Sequence, residues 1–388
     1  MSIAPALSKP HAVSPRLLAG CYAAFFVLGI AAAMVGPAKD VVTHELGMPI
    51  EQGGLLVAAQ FLGATLGIYL GGRLADCTDI RSVLCGAGSL MVLGLVLFGL
   101  SRSFTVFIVA ELLLGLGVGG WSAAPNLIVA KAGLRRPSVG LNLLGATWGM
   151  GSALGPQVVD LVLSRGSLAL GYYGTAALTG LLLPLFWSTP LRLGDHYAVT
   201  PDRARTWQRY LPYALIFSLY VGAESGFGAW VFTQLTVAGR APITQGALAA
   251  SLFWAGLTCG RMAAVLLLRH MGERRLLFAC ALTVAGGALA LVAFPHAIAA
   301  ALGLSFAIGL ACGPIFPTTY GLIVHSLPAT SSTTLATLQA VGTCGGVLVP
   351  PIQGYIGGGK DGGMIVVAVL ALVIASLVFW VAKQRQKP

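Results

Sequence analysis

Long apolar runs separated by short polar breaks dominate the chain. A helix needs about 20 apolar residues to cross the hydrocarbon core of a bilayer, and the period-two alternation of barrel strands is missing. The pattern therefore predicts an all-α polytopic membrane protein with twelve transmembrane helices. The predicted runs lie near 17–42, 54–74, 82–101, 104–130, 138–163, 169–189, 210–238, 244–268, 276–294, 297–324, 331–356 and 363–383.

The composition agrees with this pattern. Of the 388 residues, 57% are hydrophobic and 9% are charged, whereas soluble domains carry roughly 25% charged residues. A nucleic-acid-binding protein, a disulfide scaffold and a soluble enzyme are therefore disfavoured. The seven cysteines form no CxxC pair, and no Walker loop or HExxH motif is present. We predict that the chain is not an enzyme and uses no cofactor, no metal and no nucleic acid.

The distribution of Lys and Arg predicts the orientation of the chain in the membrane. With the N-terminus inside, most of the 23 Lys and Arg residues fall in cytoplasmic loops, which accounts for the net charge of +11. Both termini are then cytoplasmic, in a protein of the cell inner membrane. Lys39 and Asp40, at the outer end of the first run, are interpreted as loop charges. The positive residues on the outer side are Lys39, Arg102, Arg165, Arg240 and Lys360.

Internal similarity divides the chain into two halves. Gly151–Pro156 matches Gly345–Pro350, and Pro125 matches Pro317, at offsets of 192 to 194 residues. Parallel repeats with a site between them are typical of secondary transporters. The predicted domains are a six-helix bundle over 1–189, a cytoplasmic linker over 190–209 and a second six-helix bundle over 210–388.

Several motifs resemble the major facilitator superfamily, and the resemblance covers the whole chain. The segment Gly72–Arg81 is similar to the family's G-R-L-A-D-R-x-G-R-R loop, with departures at positions 77, 79 and 80. This resemblance implies a conformational latch formed by Arg73, Asp76 and Arg81. Glu111 lies where the family often has an arginine, and Gly151–Pro156 matches part of a glycine-rich motif of drug and antiport members.

A finer resemblance lies in the second half. The segments Leu219–Trp230, Gly313–Thr318 and Gly345–Gly354 are most similar to the fucose/glucose branch, whose members carry sugars, commonly with protons. The resemblance implies two pseudo-symmetric bundles and alternating access around a cavity lined by helices 1, 2, 4, 5, 7, 8, 10 and 11. We predict secondary transport of a small solute, a sugar or another small polar metabolite, by a monomer in the lipid bilayer, with protons as the coupling ion.

Three other functions remain open at this stage. A drug or metabolite exporter of the same fold is favoured by the partial glycine-rich motif. An uncoupled facilitator would have no coupling acid. A membrane-embedded enzyme would need catalytic groups clustered at one membrane face, and the sequence shows no such cluster.

Two acids inside the predicted spans are candidate proton-coupling residues, Glu224 and Glu111. A charged carboxylate at the bilayer centre costs on the order of 3 kcal/mol, so such a group is protonated, paired or facing water. Glu224 shares a helical face with Tyr220. The alternative for each acid is structural: Glu224 would tie its helix to a neighbour, and Glu111 would pair with Arg102 or another helix.

Polar and aromatic side chains inside the runs are candidate substrate contacts. Trp254, Thr258 and Arg261 form one stripe by their spacing, and Arg261 could bind an anion, neutralise a carboxylate or extend to the cytoplasmic edge. Amides, hydroxyls and rings can contact a solute, but they can also join neighbouring helices. The candidates are Tyr220, Trp230, Gln339, Thr343, Asn142, Trp148, Trp121, Asn126, Gln60 and Arg261.

Overall fold

The computed structural model describes residues 14–131, 137–188, 207–326, 332–357 and 362–384. The described residues are helical apart from short connections, which confirms the all-α prediction. The α-helices are α1 (Pro15–Glu45), α2 (Gly54–Cys77), α3 (Ile80–Leu100), α4 (Phe104–Lys131), α5 (Pro137–Leu163), α6 (Leu168–Ser188), α7 (Trp207–Thr233), α8 (Ile243–Leu267), α9 (Glu273–Ala293), α10 (Ile298–Cys312), α11 (Ile315–Ser326), α12 (Ser332–Gly357) and α13 (Gly362–Gln384).

Local sequence signals set several helix ends. Ser14 caps α1 by accepting a hydrogen bond from the Leu17 amide, and Pro15 occupies the first helical position, where its missing N–H costs nothing. Asp79 caps α3 through the Arg81 amide. A short 3₁₀ turn (Ile50–Gly53) precedes α2, and a π-helical turn (Gln234–Ala238) continues α7.

The tenth predicted run is not one continuous helix. Residues 313 and 314 interrupt it and separate α10 from α11. The physical reason is Pro314, which has no backbone N–H and sterically blocks a regular helix in the preceding turn. The chain resumes at once, because the Thr318 amide bonds to the Pro314 carbonyl. With α10 and α11 counted as one interrupted span, the described part of the chain is consistent with twelve spans.

Ten helical segments of the described residues are long and apolar enough to cross a membrane. The two long helices outside this set are α5 and α12, of 27 and 26 residues. Both have polar side chains along their length, such as Gln157 of α5 and Thr343 of α12. Both also pack on helices from the other half of the chain. A helix that faces protein on one side does not need an apolar surface all round.

The helices pack as two bundles. We call α1–α6 the N-terminal bundle and α7–α13 the C-terminal bundle; α1 packs on α5, α2 on α4 and α3 on α4 and α6, while α7 packs on α12 and α13 and α8 on α10. Glycines permit the closest approaches: a Cβ on Gly29 would overlap the Trp148 carbonyl, and a Cβ on Gly151 would overlap the Phe26 carbonyl. Small residues at such crossings are typical of membrane helices.

Candidate functional site

The two bundles meet along two helix pairs, α5 with α8 and α2 with α12, and more narrowly where α1 meets α7. The contacts described below run from the middle of these helices to the end at which α1 ends and α8 begins. We call this the closed end, and it carries the connections at residues 46–53 and 239–242.

The polar stripe of α8 faces α5 of the other bundle. Trp254 packs edge-to-face on Trp148 with ring centroids 5.4 Å apart, and the Arg261 guanidinium lies 5.4 Å from the Trp148 ring centroid. Thr258 lies against Gly149, where a Cβ would overlap its hydroxyl. The predicted stripe is confirmed as one helical face.

Glu224 lies on α7 beside this stripe. Its carboxyl interacts electrostatically with Arg261 of α8, and it lies one helical turn from Tyr220. The Tyr220 side chain is buried, and its hydroxyl has no hydrogen-bond partner of normal geometry among the described residues. Glu224 and Arg261 are both partly exposed. The structure therefore brings together Glu224, Arg261, Tyr220 and Trp148, from three helices and both bundles.

The second contact between the bundles joins α2 and α12. The Thr65 hydroxyl donates to the Thr343 hydroxyl at 2.8 Å. Gly346 lies against the Phe61 ring, and Gly54 lies against the backbone of Pro350. Thr343, a predicted substrate contact, therefore faces the other bundle.

A buried charge network joins α1 to α7 at the closed end. Lys39 has no exposed side-chain surface; its Nζ donates to the Asp40 carboxylate and, at 2.7 Å, to the Thr233 hydroxyl. The Thr233 hydroxyl in turn donates to Asp40 Oδ2 at 2.6 Å. Nζ also lies 3.8 Å from the ring centroid of Trp230, whose indole N–H donates to the Pro350 carbonyl. The interpretation of Lys39 and Asp40 as loop charges is wrong, because α1 continues past them to Glu45.

Glu111 lies inside the N-terminal bundle. It has no exposed surface, accepts a hydrogen bond from Gln60 Nε2 at 3.0 Å and lies 3.5 Å from the Tyr172 hydroxyl. Arg102, the partner considered from the sequence, donates to the Ser101 carbonyl instead. The structure thus separates Glu111 and Gln60 from the Glu224 site, and their predicted roles stay predictions.

Two further candidates also lie away from that site. The Trp121 indole is fully buried in the N-terminal bundle and donates to the Leu84 carbonyl at 2.6 Å. Asn126 is exposed and donates to the Ser122 carbonyl one turn earlier. The side chains of Asn142 and Gln339 lie outside the described residues, so their proposed contacts stay predictions.

The implied latch after α2 is described only in part. Arg73 is exposed and donates to the Tyr69 hydroxyl at 3.2 Å. Arg81 lies 3.7 Å from Asp79, and the Asp76 side chain is outside the described residues. The latch stays a prediction. Among the described residues, no group of three or more His, Cys, Asp or Glu side chains could hold a metal ion.

The family was established by comparison with known proteins. The family model described as "Major Facilitator Superfamily" matches residues 21–239 and 240–388. The chain therefore belongs to the major facilitator superfamily. It is a multi-pass membrane protein with the fold of that family.

The individual relatives that match most of this chain are distant in sequence. An MFS-type transporter of Yersinia pestis is 23% identical over 92% of this chain and 90% of its own length. The glucose/mannose transporter GlcP of Bacillus subtilis is 23% identical over 76% of this chain and 77% of its own length. An MFS-type transporter of Mycobacterium tuberculosis is 31% identical over 34% of this chain, and the match spans only 20% of that relative.

Solved structures share the fold. A bacterial homolog of the human lysosomal transporter Spinster, in an inward-facing and occupied conformation, superposes with a TM-score of 0.80 at 14% identity, covering 95% of this chain and 96% of that one. The fucose:proton symporter FucP of E. coli superposes with a TM-score of 0.62 at 18% identity, covering 94% and 98%. At these identities the likeness establishes the fold alone.

Proposed function

We propose that this protein is a proton-coupled secondary transporter of a small polar solute, bound at the centre of the interface between its two bundles. The observation that carries the proposal is the placement of Glu224. This acid lies on α7, is partly exposed and interacts electrostatically with Arg261 of α8, and Arg261 contacts Trp148 of the N-terminal bundle. A titratable acid inside a span is a functional candidate by default, because the bilayer makes it costly.

A sugar or sugar-like solute is the first candidate for the substrate. The relative GlcP is named for glucose and mannose, and FucP is named for fucose and protons. The site also suits a small polar solute chemically. It offers a carboxyl, a guanidinium, a phenol and two indoles, which can hydrogen-bond hydroxyl groups and stack on a flat apolar ring face.

We propose that the protein transports its solute by alternating access to this site. The bundles touch from their middle to the closed end, so a solute at the centre would exchange through the opposite end. With both termini cytoplasmic, the closed end faces outward and this conformation opens inward. The bundle boundaries near 189 and 210, the inner-membrane location and the monomeric state belong to the same proposal.

The proposal is tested by uptake into proteoliposomes with and without an inward proton gradient. The wild type should accumulate solute only with the gradient. Glu224→Gln keeps the size of the side chain and removes its titration, so it should abolish gradient-driven accumulation and retain exchange of solute for solute. Glu45→Gln, at an exposed position at the end of α1, is the matched control. Unaltered gradient-driven uptake by Glu224→Gln would overturn the proposal.

A further inference from the structure

The charges at the centre of the interface restrict what can be carried. Glu224 of α7 and Arg261 of α8 interact with each other, and the guanidinium also contacts Trp148 of α5 in the other bundle. An arginine keeps its charge in proteins, whereas a glutamate can gain a proton. Of the two groups, only Glu224 therefore changes charge during a transport cycle.

The other ionisable groups around Glu224 do not alter this balance. On its own helix the neighbour is Tyr220, on α8 it is Arg261 and on α10 it is Cys312. From α1, Lys39 faces α7 at the closed end, where its charge is matched by Asp40. The described side chains of α12 and α13 contribute no Asp, Glu, Lys or Arg to the interface.

An uncompensated charge in the closed interior of a membrane protein is costly. In the empty site, ionised Glu224 and Arg261 cancel. If Glu224 takes a proton and a neutral solute binds, the positive charge of Arg261 is left without a counter-charge. If Glu224 takes a proton and a solute with one negative group binds, the charges cancel again. Only a carrier that binds a proton together with a monoanion has a neutral site both when it is empty and when it is loaded.

From this balance we infer that the substrate carries a single negative charge and that Arg261 binds its anionic group. This inference rests on the proposed function and narrows the proposed solute to a monoanion. A sugar acid is the monoanion most similar to the sugars for which the relatives are named. The loading step breaks no covalent bond within the solute. A proton from hydronium in the aqueous phase is transferred to the Glu224 carboxylate and leaves water behind, and the anionic group of the substrate then balances the charge of Arg261 in place of that carboxylate.

The surroundings of Arg261 fit this role. The Tyr220 hydroxyl is buried and interacts with the Glu224 carboxyl, so it can donate to a substrate oxygen once Glu224 has taken a proton. Gly145 of α5 leaves room next to the guanidinium, since a Cβ there would lie 3.9 Å from Nη1. Trp148 and Trp254 provide an aromatic wall for the body of the solute. A planar guanidinium suits a carboxylate, which it can bind with two parallel hydrogen bonds.

The first test uses matched probes that differ in charge. Purified protein is screened by thermal shift with glucuronate against glucose, galacturonate against galactose and lactate against glycerol, since binding to the folded state raises its melting temperature. We expect monoanions to raise the melting temperature of the wild type and of Arg269→Gln, an exposed arginine beyond the end of α8. Arg261→Gln should weaken the effective affinity about tenfold or more, because it loses a charge-assisted contact.

The second test measures whether uptake moves net charge. One proton and one monoanion together carry none, so an inward proton gradient should drive uptake of the anion that binds. A potassium diffusion potential, negative inside, should leave its rate unchanged. Uptake accelerated by the potential, stabilisation by neutral probes only, or no monoanion that binds would each overturn the inference.

The two proposals fail in different ways. Proton-driven, potential-sensitive uptake of glucose that is lost in Glu224→Gln would keep the proposed function and refute the monoanion. Uptake of a monoanion that does not respond to the proton gradient would refute proton coupling at Glu224, and with it both proposals.

Discussion

Lys39 shows how a single charged side chain is accommodated in the interior of the protein. Its ammonium group is held by the Asp40 carboxylate, the Thr233 hydroxyl and the Trp230 ring, so each of its main interactions is with protein. Buried charges persist only when they are paired and hydrogen-bonded. Thr233 and Trp230 belong to α7, so this pairing also depends on the two bundles staying together at the closed end.

Removing the charge of Lys39 alone should open the closed end. In Lys39→Met the Asp40 carboxylate loses its cation, and breaking one partner of a buried pair costs about 3–5 kcal/mol, whereas replacing both partners is often neutral. The double variant Lys39→Met/Asp40→Asn is therefore the control and should stay near the wild type. In a cysteine-free background, accessibility of a cysteine introduced at Val42, a buried position of α1 outside the hydrogen-bonded network, to a water-soluble maleimide measures the opening. Equal labelling of the single and double variants would contradict this account.

Glu111 makes a different kind of buried contact, with neutral donors only. Glu111→Leu leaves the Gln60 amide and the Tyr172 hydroxyl without their acceptor, which costs about 1–3 kcal/mol for each unsatisfied group. Glu111→Gln keeps an acceptor oxygen and should lose much less. Unfolding in detergent, followed by the melting temperature, distinguishes them. If Glu111→Leu and Glu111→Gln had the same melting temperature, the hydrogen bonds of Glu111 would contribute little to the stability of the fold.

At the scale of elements, glycines set how closely the two bundles approach. Gly149 of α5 faces Thr258 of α8, and a methyl group there would overlap the threonine hydroxyl of the other bundle. Gly149→Ala should therefore disfavour the closed conformation while leaving each bundle folded. Gly174→Ala on α6, where a Cβ meets nothing within 4 Å, is the matched control.

The effect of Gly149→Ala is measured by transport. Because the carrier would adopt the conformation that is closed at this end less often, we expect slower gradient-driven uptake by Gly149→Ala with an unchanged melting temperature. We expect normal uptake for Gly174→Ala. A large drop in the melting temperature of Gly149→Ala would mean that the contact supports the fold and not the cycle.

The sequence predicted elements and faces better than contacts. The stripe of Trp254, Thr258 and Arg261 follows from helical periodicity, which local spacing determines. Its partner Trp148 could not be predicted in the same way, because contacts between distant helices leave no periodic signal. Lys39 was misassigned for a related reason: a charge near the end of an apolar run is indistinguishable from a loop charge until its partner Thr233, far along the chain, is known.

At the scale of the whole molecule, the structure is two helical bundles joined at one end. Among the described residues, the polar and charged contacts between them include the Thr65–Thr343 bond, the Gln157–Ser251 bond, the Lys39 network and the α5–α8 stripe. A secondary transporter needs an interface that can separate, and small polar contacts exchange with water more readily than a continuous apolar core does. We therefore expect two conformations of comparable free energy.

The most direct test of this central claim is a distance measurement across the closed end. Spin labels at Ser164, directly after α5, and at Ile243, the first residue of α8, are at exposed positions and report on the separation of the bundles in a cysteine-free background. Double electron–electron resonance should show a short distance together with a longer one, with populations that shift with pH in the wild type and not in Glu224→Gln. A single distance under all conditions would contradict alternating access through this interface.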